Sequence, residues 1–168
     1  KEELTVYEDQ MSDLPLLSGV PAKGTVASSK ILDQIDAKEL TLSNGVKVIL
    51  KPTEFKNDEI LIRGFGHGGT SVYSDQDYFS ATRASGLVNA SGLGQLNTTE
   101  LRKYLAGKRI GMSTSIGERT QGIGGSTDKE GLQTAFEIIY GYFTEPRIEE
   151  DVFQSTMQRE LSMMENRE

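Results

Sequence analysis

Apolar and polar residues alternate over three short segments, and this alternation predicts the first strands of the chain. Leucines alternate with polar residues before the dipeptide Asn44-Gly45, and the alternation resumes after it as far as Leu50. This pattern predicts a tight hairpin whose central residues Asn44 and Gly45 take positive φ angles. The apolar run Ile60-Leu61-Ile62 predicts a third strand over about 59–66. Because the run is continuous, we expect a central strand that is covered on both faces.

Two helices are predicted after the third strand. The first covers about 75–90 and is rich in small residues, including Gly86. The second begins at Asn97, because Glu100 follows three residues later in the spacing of a capping box, and Gly107 ends it. Both helices are typical of a domain in which helices pack closely on a sheet.

A hairpin and two further helices complete the pattern. Residues 110–116 alternate as a strand, and the glycine-rich segment 120–126 returns antiparallel to it. Thr127 and Glu130 repeat the capping-box spacing before a helix that Pro146 ends. The last helix, from about Glu149, carries one apolar stripe, formed by Phe153, Met157, Leu161 and Met164.

The order β-β-β-α-α-β-β-α-α predicts an α+β domain with a largely antiparallel sheet and helices packed on one face. Residues 1–38 show no sustained period, so we expect an inter-domain linker or extended arm that lies along a protein surface. The domain itself is expected to cover 39–168. The chain lacks an initiating Met and reaches Glu168 within a helical pattern, so we expect an internal fragment whose domain is incomplete at the C-terminus.

Composition excludes several classes of function. The 168 residues are 36% hydrophobic and 26% charged, which suffices for a packed core. The net charge is −7 and no Lys/Arg cluster forms a stripe, so nucleic acid is not expected as a partner. The chain has no cysteine, which excludes disulfides and thiolate metal sites. No apolar run approaches the roughly 20 residues of a membrane span.

Five segments in register carry a resemblance to a known family. The first is Leu42-Ser43-Asn44-Gly45-Val46-Lys47-Val48-Ile49-Leu50-Lys51-Pro52-Thr53. It resembles the opening of the second half of long bacterial pitrilysin/insulinase-type zinc peptidases. The later segments agree in order and spacing: Gly68-Gly69-Thr70-Ser71, Ala90-Ser91-Gly92-Leu93-Gly94, Leu105-Ala106-Gly107-Lys108 and Tyr142-Phe143-Thr144-Glu145-Pro146-Arg147. The resemblance implies a metallopeptidase domain of the pitrilysin/mitochondrial processing peptidase type.

The resemblance also implies where catalysis does and does not occur. Active halves of the family carry His-x-x-Glu-His on the helix after the third strand, where two His residues hold zinc and the Glu activates water. In this chain the motif falls on Thr82-Arg83-Ala84-Ser85-Gly86, with Thr82 and Gly86 at the His positions and Ser85 at the Glu position. We expect no catalytic residue, metal ligand or cofactor site in this segment, and zinc in the catalytic half of the parent protein.

The implied function is that of a segment of a zinc metalloendopeptidase. An inactive homologous domain would enclose and help to bind peptide substrates, and its partners would be those peptides and the catalytic half of the same polypeptide. The alternative is a non-catalytic structural or assembly module of the same fold, like the core subunits of respiratory complexes. No nucleophile–base pair supports an independent enzyme. Similar long bacterial members are exported, so a periplasmic location is expected, with the cytoplasm as the alternative.

Several conspicuous residues also have purely structural explanations. His67, the one histidine, could line a substrate path but is more typical of a turn residue. The glycines over 64–69 do not form a dinucleotide fingerprint, because about five residues separate them from the next helix. Asp75 and Asp77 suit a solvated helix start. The apolar stripe of the last helix should be only partly covered, so we expect the fragment to self-associate through this helix or through a bare sheet edge near 110–126.

Overall fold

The computed structural model describes residues 14–166, which form an α+β fold with antiparallel sheets and four α-helices. The fold class predicted from the sequence is confirmed. The elements are β1 (Val26–Leu32), β2 (Ala37–Leu42), β3 (Lys47–Leu50), β4 (Ile60–His67), α1 (Asp75–Ala90), α2 (Thr98–Leu105), β5 (Ile110–Ile116), β6 (Thr120–Thr127), α3 (Leu132–Thr144) and α4 (Glu150–Glu165). Short 3-10 helices lie at Asp33–Ile35 and Gly69–Val72.

The chain divides into two compact units. Residues 19–59 form the smaller unit, and residues 60–166, together with the described residues up to Ser18, form the larger one. Strand β1 lies within the segment that was predicted as an arm over 1–38. The sequence suggested only a short edge strand over 25–27 there, because six of the seven residues of β1 are exposed and the strand carries no apolar face. The proposed division of the parent protein after residue 38 stays a prediction.

The smaller unit is a three-stranded antiparallel sheet in the order β1-β2-β3. Its predicted hairpin is present, but the loop has three residues. The N–H of Gly45 donates to the carbonyl of Leu42 at 2.9 Å, and the N–H of Val46 donates to Oδ1 of Asn44 at 3.1 Å. Gly45 has φ +85°, whereas Asn44 has a negative φ angle, contrary to the prediction. This arrangement is typical of a type I turn followed by a glycine bulge.

The sheet of the larger unit has the order β4-β6-β5 and is antiparallel throughout. The prediction that the Ile60–Ile62 run is a central strand covered on both faces is wrong. Strand β4 lies at an edge of this sheet, and Leu61 is 77% exposed. In a continuous apolar run every residue is apolar, so the sequence does not show which residues point to which face of the sheet. It therefore could not show that alternate side chains of β4 point to a face without helices.

Helices cover the other face of this sheet, as predicted. Helices α1 and α3 pack against β5, and α3 also contacts β6. The core cluster combines Leu93, Leu96 and Ile138 with two residues from far earlier in the chain, Leu16 and Leu17. Burial in the same layer raises the pKa of the Tyr142 phenol, so that it stays neutral.

Residues 15–18 form a strap across this core. The carbonyl of Leu16 accepts a hydrogen bond from the N–H of Gln95 at 3.1 Å, and the carbonyl of Leu17 accepts one from Nε2 of Gln95 at 3.0 Å. The carboxylate of Glu145 accepts hydrogen bonds from the N–H and the hydroxyl of Ser18. The sequence predicted that the early segment lies along a protein surface. The structure places Leu16 in the core itself, where it is only 3% exposed.

The helix starts test the two predicted capping boxes. Both bonds of the box are present between Asn97 and Glu100, and α2 ends where it was predicted to end. The second box is wrong: α3 begins at Leu132, and Thr127 is the last residue of β6, buried and paired with strands on both sides. Asp128 Oδ1 instead accepts a hydrogen bond from the N–H of Gly131 at 2.7 Å.

The stripe of α4 is only partly covered, as predicted. Leu161 is 59% exposed and Met164 is 50% exposed. Within residues 14–166, no helix has both the length and the apolar character needed to cross a membrane.

Candidate functional site

Thr82, Ser85 and Gly86, the positions at which the resemblance places the zinc motif, lie in the middle of α1. The hydroxyl of Thr82 donates to the carbonyl of Phe79 at 2.7 Å, a bond within its own helix. Ser85 is half-buried, and Gly86 is exposed with no atom within 4 Å of the position that a Cβ would take. None of the three positions offers an imidazole, a carboxylate or a thiolate, which are the side-chain ligands of catalytic zinc.

Arg83, within the same five residues, has a structural contact. Its guanidinium donates to Glu160 of α4 at 2.8 Å and lies 5.1 Å from the ring centre of Phe79. The side chain of Glu160 is mostly buried, so this ion pair is better shielded from water than a surface pair. The motif segment of α1 thus contacts α4 through a salt bridge.

The described part of the chain brings no three His, Asp or Glu side chains together in a way that could hold a metal ion. Asp75 and Asp77 lie in the exposed first turn of α1, where Asp77 accepts a hydrogen bond from the Ser74 hydroxyl at 2.7 Å. The expected absence of zinc from this segment stays a prediction.

The glycine run after β4 contacts the turn between β5 and β6. The N–H groups of Gly68, Thr70 and Ser71 donate to the carbonyls of Arg119, Gly117 and Glu118, at 3.0, 2.9 and 2.8 Å. A Cβ on Gly69 would overlap the carbonyl oxygen of Gly117. These amides are satisfied within the protein, so they do not form a cradle for phosphate.

The glycines of β6 lie close to the backbones of the neighbouring strands. A Cβ on Gly122 would lie 2.6 Å from the carbonyl oxygen of Gly64 in β4. A Cβ on Gly125 would overlap the carbonyl oxygen of Gly111 in β5. The central strand is therefore rich in glycine because both neighbouring strands approach it closely. Sequence alone could not reveal this, since the strand order was unknown.

The sheet face without helices, called the open face below, forms a concave surface of the larger unit. Strand β4 contributes Leu61, Arg63, Phe65 and His67 to it, β6 contributes Gly122, Gly124 and Ser126, and β5 contributes Gly111, Ser113 and Ser115. A groove of about 1020 Å³ lies over these strands. The sequence predicted strand β4 but not this surface. To predict the surface, one must know which side chains of each strand point to the same face of the sheet.

His67 lies at the exposed end of the open face. It is the last residue of β4 and pairs with Thr120, and its ring meets that of Phe65 edge to face with 6.4 Å between centres. His67 is therefore a strand residue, and the prediction of a turn residue is wrong.

The outer edge of β5 is partly occupied. Asn89, near the end of α1, accepts a hydrogen bond from the N–H of Thr114 at 2.9 Å and donates one to its carbonyl at 2.8 Å. A side-chain amide thus takes the place that a neighbouring strand would have there. Covering an edge in this way opposes pairing with another chain.

Two of the segments that carry the family resemblance meet in space. Arg147 donates to the carbonyls of Gly94 and Gln95 at 3.3 and 3.2 Å. Two residues later, the carboxylate of Glu149 accepts hydrogen bonds from the N–H groups of Gly92 and Thr98 at 3.0 and 2.9 Å. These contacts join the α1–α2 connection to the α3–α4 connection. Residues of both segments that carry the resemblance therefore have a structural role here.

The sequence of this chain is similar to those of several zinc proteases. No protein-family model matches the chain. A protein of Arabidopsis thaliana named "Zinc protease PQQL-like" is 27% identical over 129 residues, which are 77% of this chain and 11% of that protein. "Probable zinc protease PqqL" of Haemophilus influenzae is 26% identical over 118 residues, 68% of this chain and 13% of its own length. The protein of the same name in Escherichia coli is 21% identical over 163 residues, 97% of this chain and 17% of its own.

Solved structures agree with these sequence matches. The crystal structure of the periplasmic protease PqqL from Escherichia coli superposes with a TM-score of 0.83 at 21% identity, over 98% of this chain and 18% of that one. The chain thus resembles zinc proteases of the pitrilysin/insulinase type in sequence and in fold. A second member of this fold, a mutant of the ferredoxin protease FusC in complex with Arabidopsis ferredoxin, superposes with a TM-score of 0.76 at 22% identity, over 90% of this chain and 17% of that one.

The coverage shows how much of a family member is present. The chain spans about a tenth to a sixth of the length of the curated relatives that it matches. It is therefore comparable to a segment of a pitrilysin-type protease, with an α+β domain architecture shared by PqqL and FusC.

Proposed function

We propose that this chain is part of the non-catalytic half of a zinc metalloendopeptidase. In this role it helps to enclose and bind peptide substrates, and the other half of the parent polypeptide supplies zinc and catalysis. The observation that carries the proposal is the chemistry of α1: Thr82, Ser85 and Gly86 occupy the positions of the zinc motif. Hydroxyl groups and a glycine cannot replace two imidazoles and a general base.

Two further observations support a role in substrate enclosure. The relatives named above are zinc proteases, and the ferredoxin complex shows FusC together with a protein ligand. The open face, with its groove of about 1020 Å³, offers a surface on which an extended peptide could lie. We also propose that the parent is exported to the periplasm, as the Escherichia coli neighbour is. Cell fractionation of the full-length parent tests the location.

Metal content tests the first half of the proposal. The purified chain, dialysed and measured by atomic emission, should hold far less than one zinc per molecule. PqqL of Escherichia coli, treated in the same way, is the positive control. One tightly held zinc per chain would contradict the assignment of this segment to the non-catalytic half.

Activity of the parent protein tests the second half. Its sequence should contain His-x-x-Glu-His outside this segment, and Gln in place of that Glu should lower peptide cleavage by roughly 100-fold or more. Ser85→Ala should leave cleavage within about twofold, because a half-buried helical Ser loses little on truncation. Loss of cleavage in Ser85→Ala with the fold and zinc content intact would show that α1 takes part in catalysis.

A further inference from the structure

The open face carries a cationic side chain and no acidic one, although the chain as a whole is acidic. The whole sequence has a net charge of −7, yet the open-face positions of β4, β5 and β6 include Arg63 and His67 and no Asp or Glu. A local field of this sign attracts anionic groups and repels cationic ones. A ligand of this surface should therefore be anionic at the point of contact.

Arg63 is the group that can provide specific recognition. Within the described residues, Arg83 and Arg147 form ion pairs with Glu160 and Glu149, whereas Arg63 is exposed and has no such partner. A guanidinium has five N–H donors and no acceptor, and its planar shape matches a carboxylate through two parallel hydrogen bonds. The matching group on a peptide is the side chain of Glu or Asp.

The neighbours of Arg63 on the same face are apolar. Leu61 is 77% exposed and Phe65 is 74% exposed, and each lies two positions from Arg63 along β4. Alternate residues of a strand are about 7 Å apart, and an extended peptide has the same repeat. A peptide aligned with β4 could therefore set one acidic side chain against Arg63 and apolar side chains against Leu61 and Phe65.

The floor beside β4 leaves room for such a peptide. Gly124 and Gly122 lie opposite Arg63 and Phe65 on β6, so no side chain rises from the floor there. The backbone of β6 is paired with β4 on one side and β5 on the other, so it cannot accept an added strand. Recognition on this face must come from side chains, and Ser113 and Ser115 on β5 add hydroxyl groups at its far side.

We propose that the open face selects extended peptides with an acidic residue between two apolar ones, in the pattern apolar-x-acidic-x-apolar, and that Arg63 anchors the carboxylate. This inference rests on the proposed function and assigns it a substrate class. Arg63 determines specificity here and has no part in bond cleavage.

Binding of two matched peptides to the full 168-residue chain tests the proposal. The probes are acetyl-Leu-Thr-Glu-Thr-Phe-amide and its Gln counterpart, titrated into the ¹⁵N-labelled chain. The amides of Arg63, Gly122 and Gly124 should shift, and the Glu peptide should bind about fivefold more tightly or better at low salt. Raising the ionic strength should reduce this difference, because the charges on an open surface are screened.

Three variants locate the source of the preference. Arg63→Gln should make the two peptides bind equally, and Arg63→Glu should reverse the preference towards a peptide with Lys in place of Glu. Arg159→Gln, which removes the same charge from α4, is the matched control and should keep the preference. Well-dispersed spectra of all three variants establish that they fold.

Several results would overturn the proposal. These are equal binding of the Glu and Gln peptides to the unmodified chain, shifts confined to the helices, and no shift at millimolar peptide. Shifts of the open face that depend on protein concentration alone would show that a second copy covers it. These results leave the zinc and Ser85→Ala experiments unaffected, so a failure here is separate from a failure of the proposed function.

Discussion

The two faces of the β4-β6-β5 sheet differ in what their residues do. On the helix face, Ile123 of β6 is only 6% exposed. Its neighbours in sequence, Gly122 and Gly124, lie on the open face and present backbone beside Arg63 and Phe65. One strand therefore supplies core to one layer and a bare floor to the other, because successive side chains point to opposite faces.

This contrast shows how stability and recognition can be separated within a single sheet. Apolar residues that contact helices contribute to the free energy of unfolding in proportion to the area that they bury. Exposed residues such as Leu61 and Phe65 bury little area in this structure, so they contribute little to that free energy. Substitutions on the two faces should accordingly affect different measurements.

The largest expected effect separates the faces by stability. Ile123→Ala should lower the free energy of unfolding by about 2–5 kcal/mol, because it leaves a cavity beneath the helices. Leu61→Ala, on the open face, should cost less than about 0.5 kcal/mol. Urea unfolding followed by circular dichroism measures both. Equal losses in the two variants would mean that the open face is also covered in solution.

The next effect concerns the spacing of the strands. Gly125→Ala should destabilise the larger unit by about 1–3 kcal/mol, since the new methyl group meets the backbone of β5 and forces the strands apart. Gly111→Ala is the control, because no atom lies within 4 Å of the added Cβ and its φ angle is not positive. Should the two variants unfold at the same urea concentration, close approach of β5 to β6 would not explain Gly125.

The smallest expected effect concerns self-association, and it distinguishes between the two surfaces that could drive it. The predicted association should use the stripe of α4, because Asn89 already occupies part of the β5 edge. Leu161→Glu should therefore shift the chain towards monomer in light scattering at high concentration. Leu61→Glu should leave the average mass unchanged. A monomeric unmodified chain, or dissociation by Leu61→Glu alone, would contradict the assignment to α4.

Local signals predicted the helices well. The range 75–90 predicted for α1 agrees with the observed Asp75–Ala90, and the box of Asn97 and Glu100 marks the start of α2. These features depend on contacts within a few residues, so their physical cause is visible in the sequence itself. The family resemblance added an expectation of the domain type and an interpretation of Thr82, Ser85 and Gly86, which no periodicity could supply.

The remaining features depend on contacts distant in sequence. Strand β1 has no apolar face, and Thr127 resembles a helix cap although it ends a strand. The edge position of β4 follows from pairing with β6, whose residues lie some 60 positions later. The open face could not be predicted for the same reason, because Arg63 gains its setting only from the glycines that β6 places beside it.

The strap of residues 15–18 has a consequence for the order of events during synthesis. Ser18 leaves the ribosome before its partner Glu145, which lies 127 residues further along the chain. Bringing together such distant segments costs chain entropy that local contacts do not recover beforehand, so closure of this core is a late step. Leu16 and Leu17 therefore remain without Ile138 while the ribosome makes β4 to β6, and the core closes only after α3 has emerged.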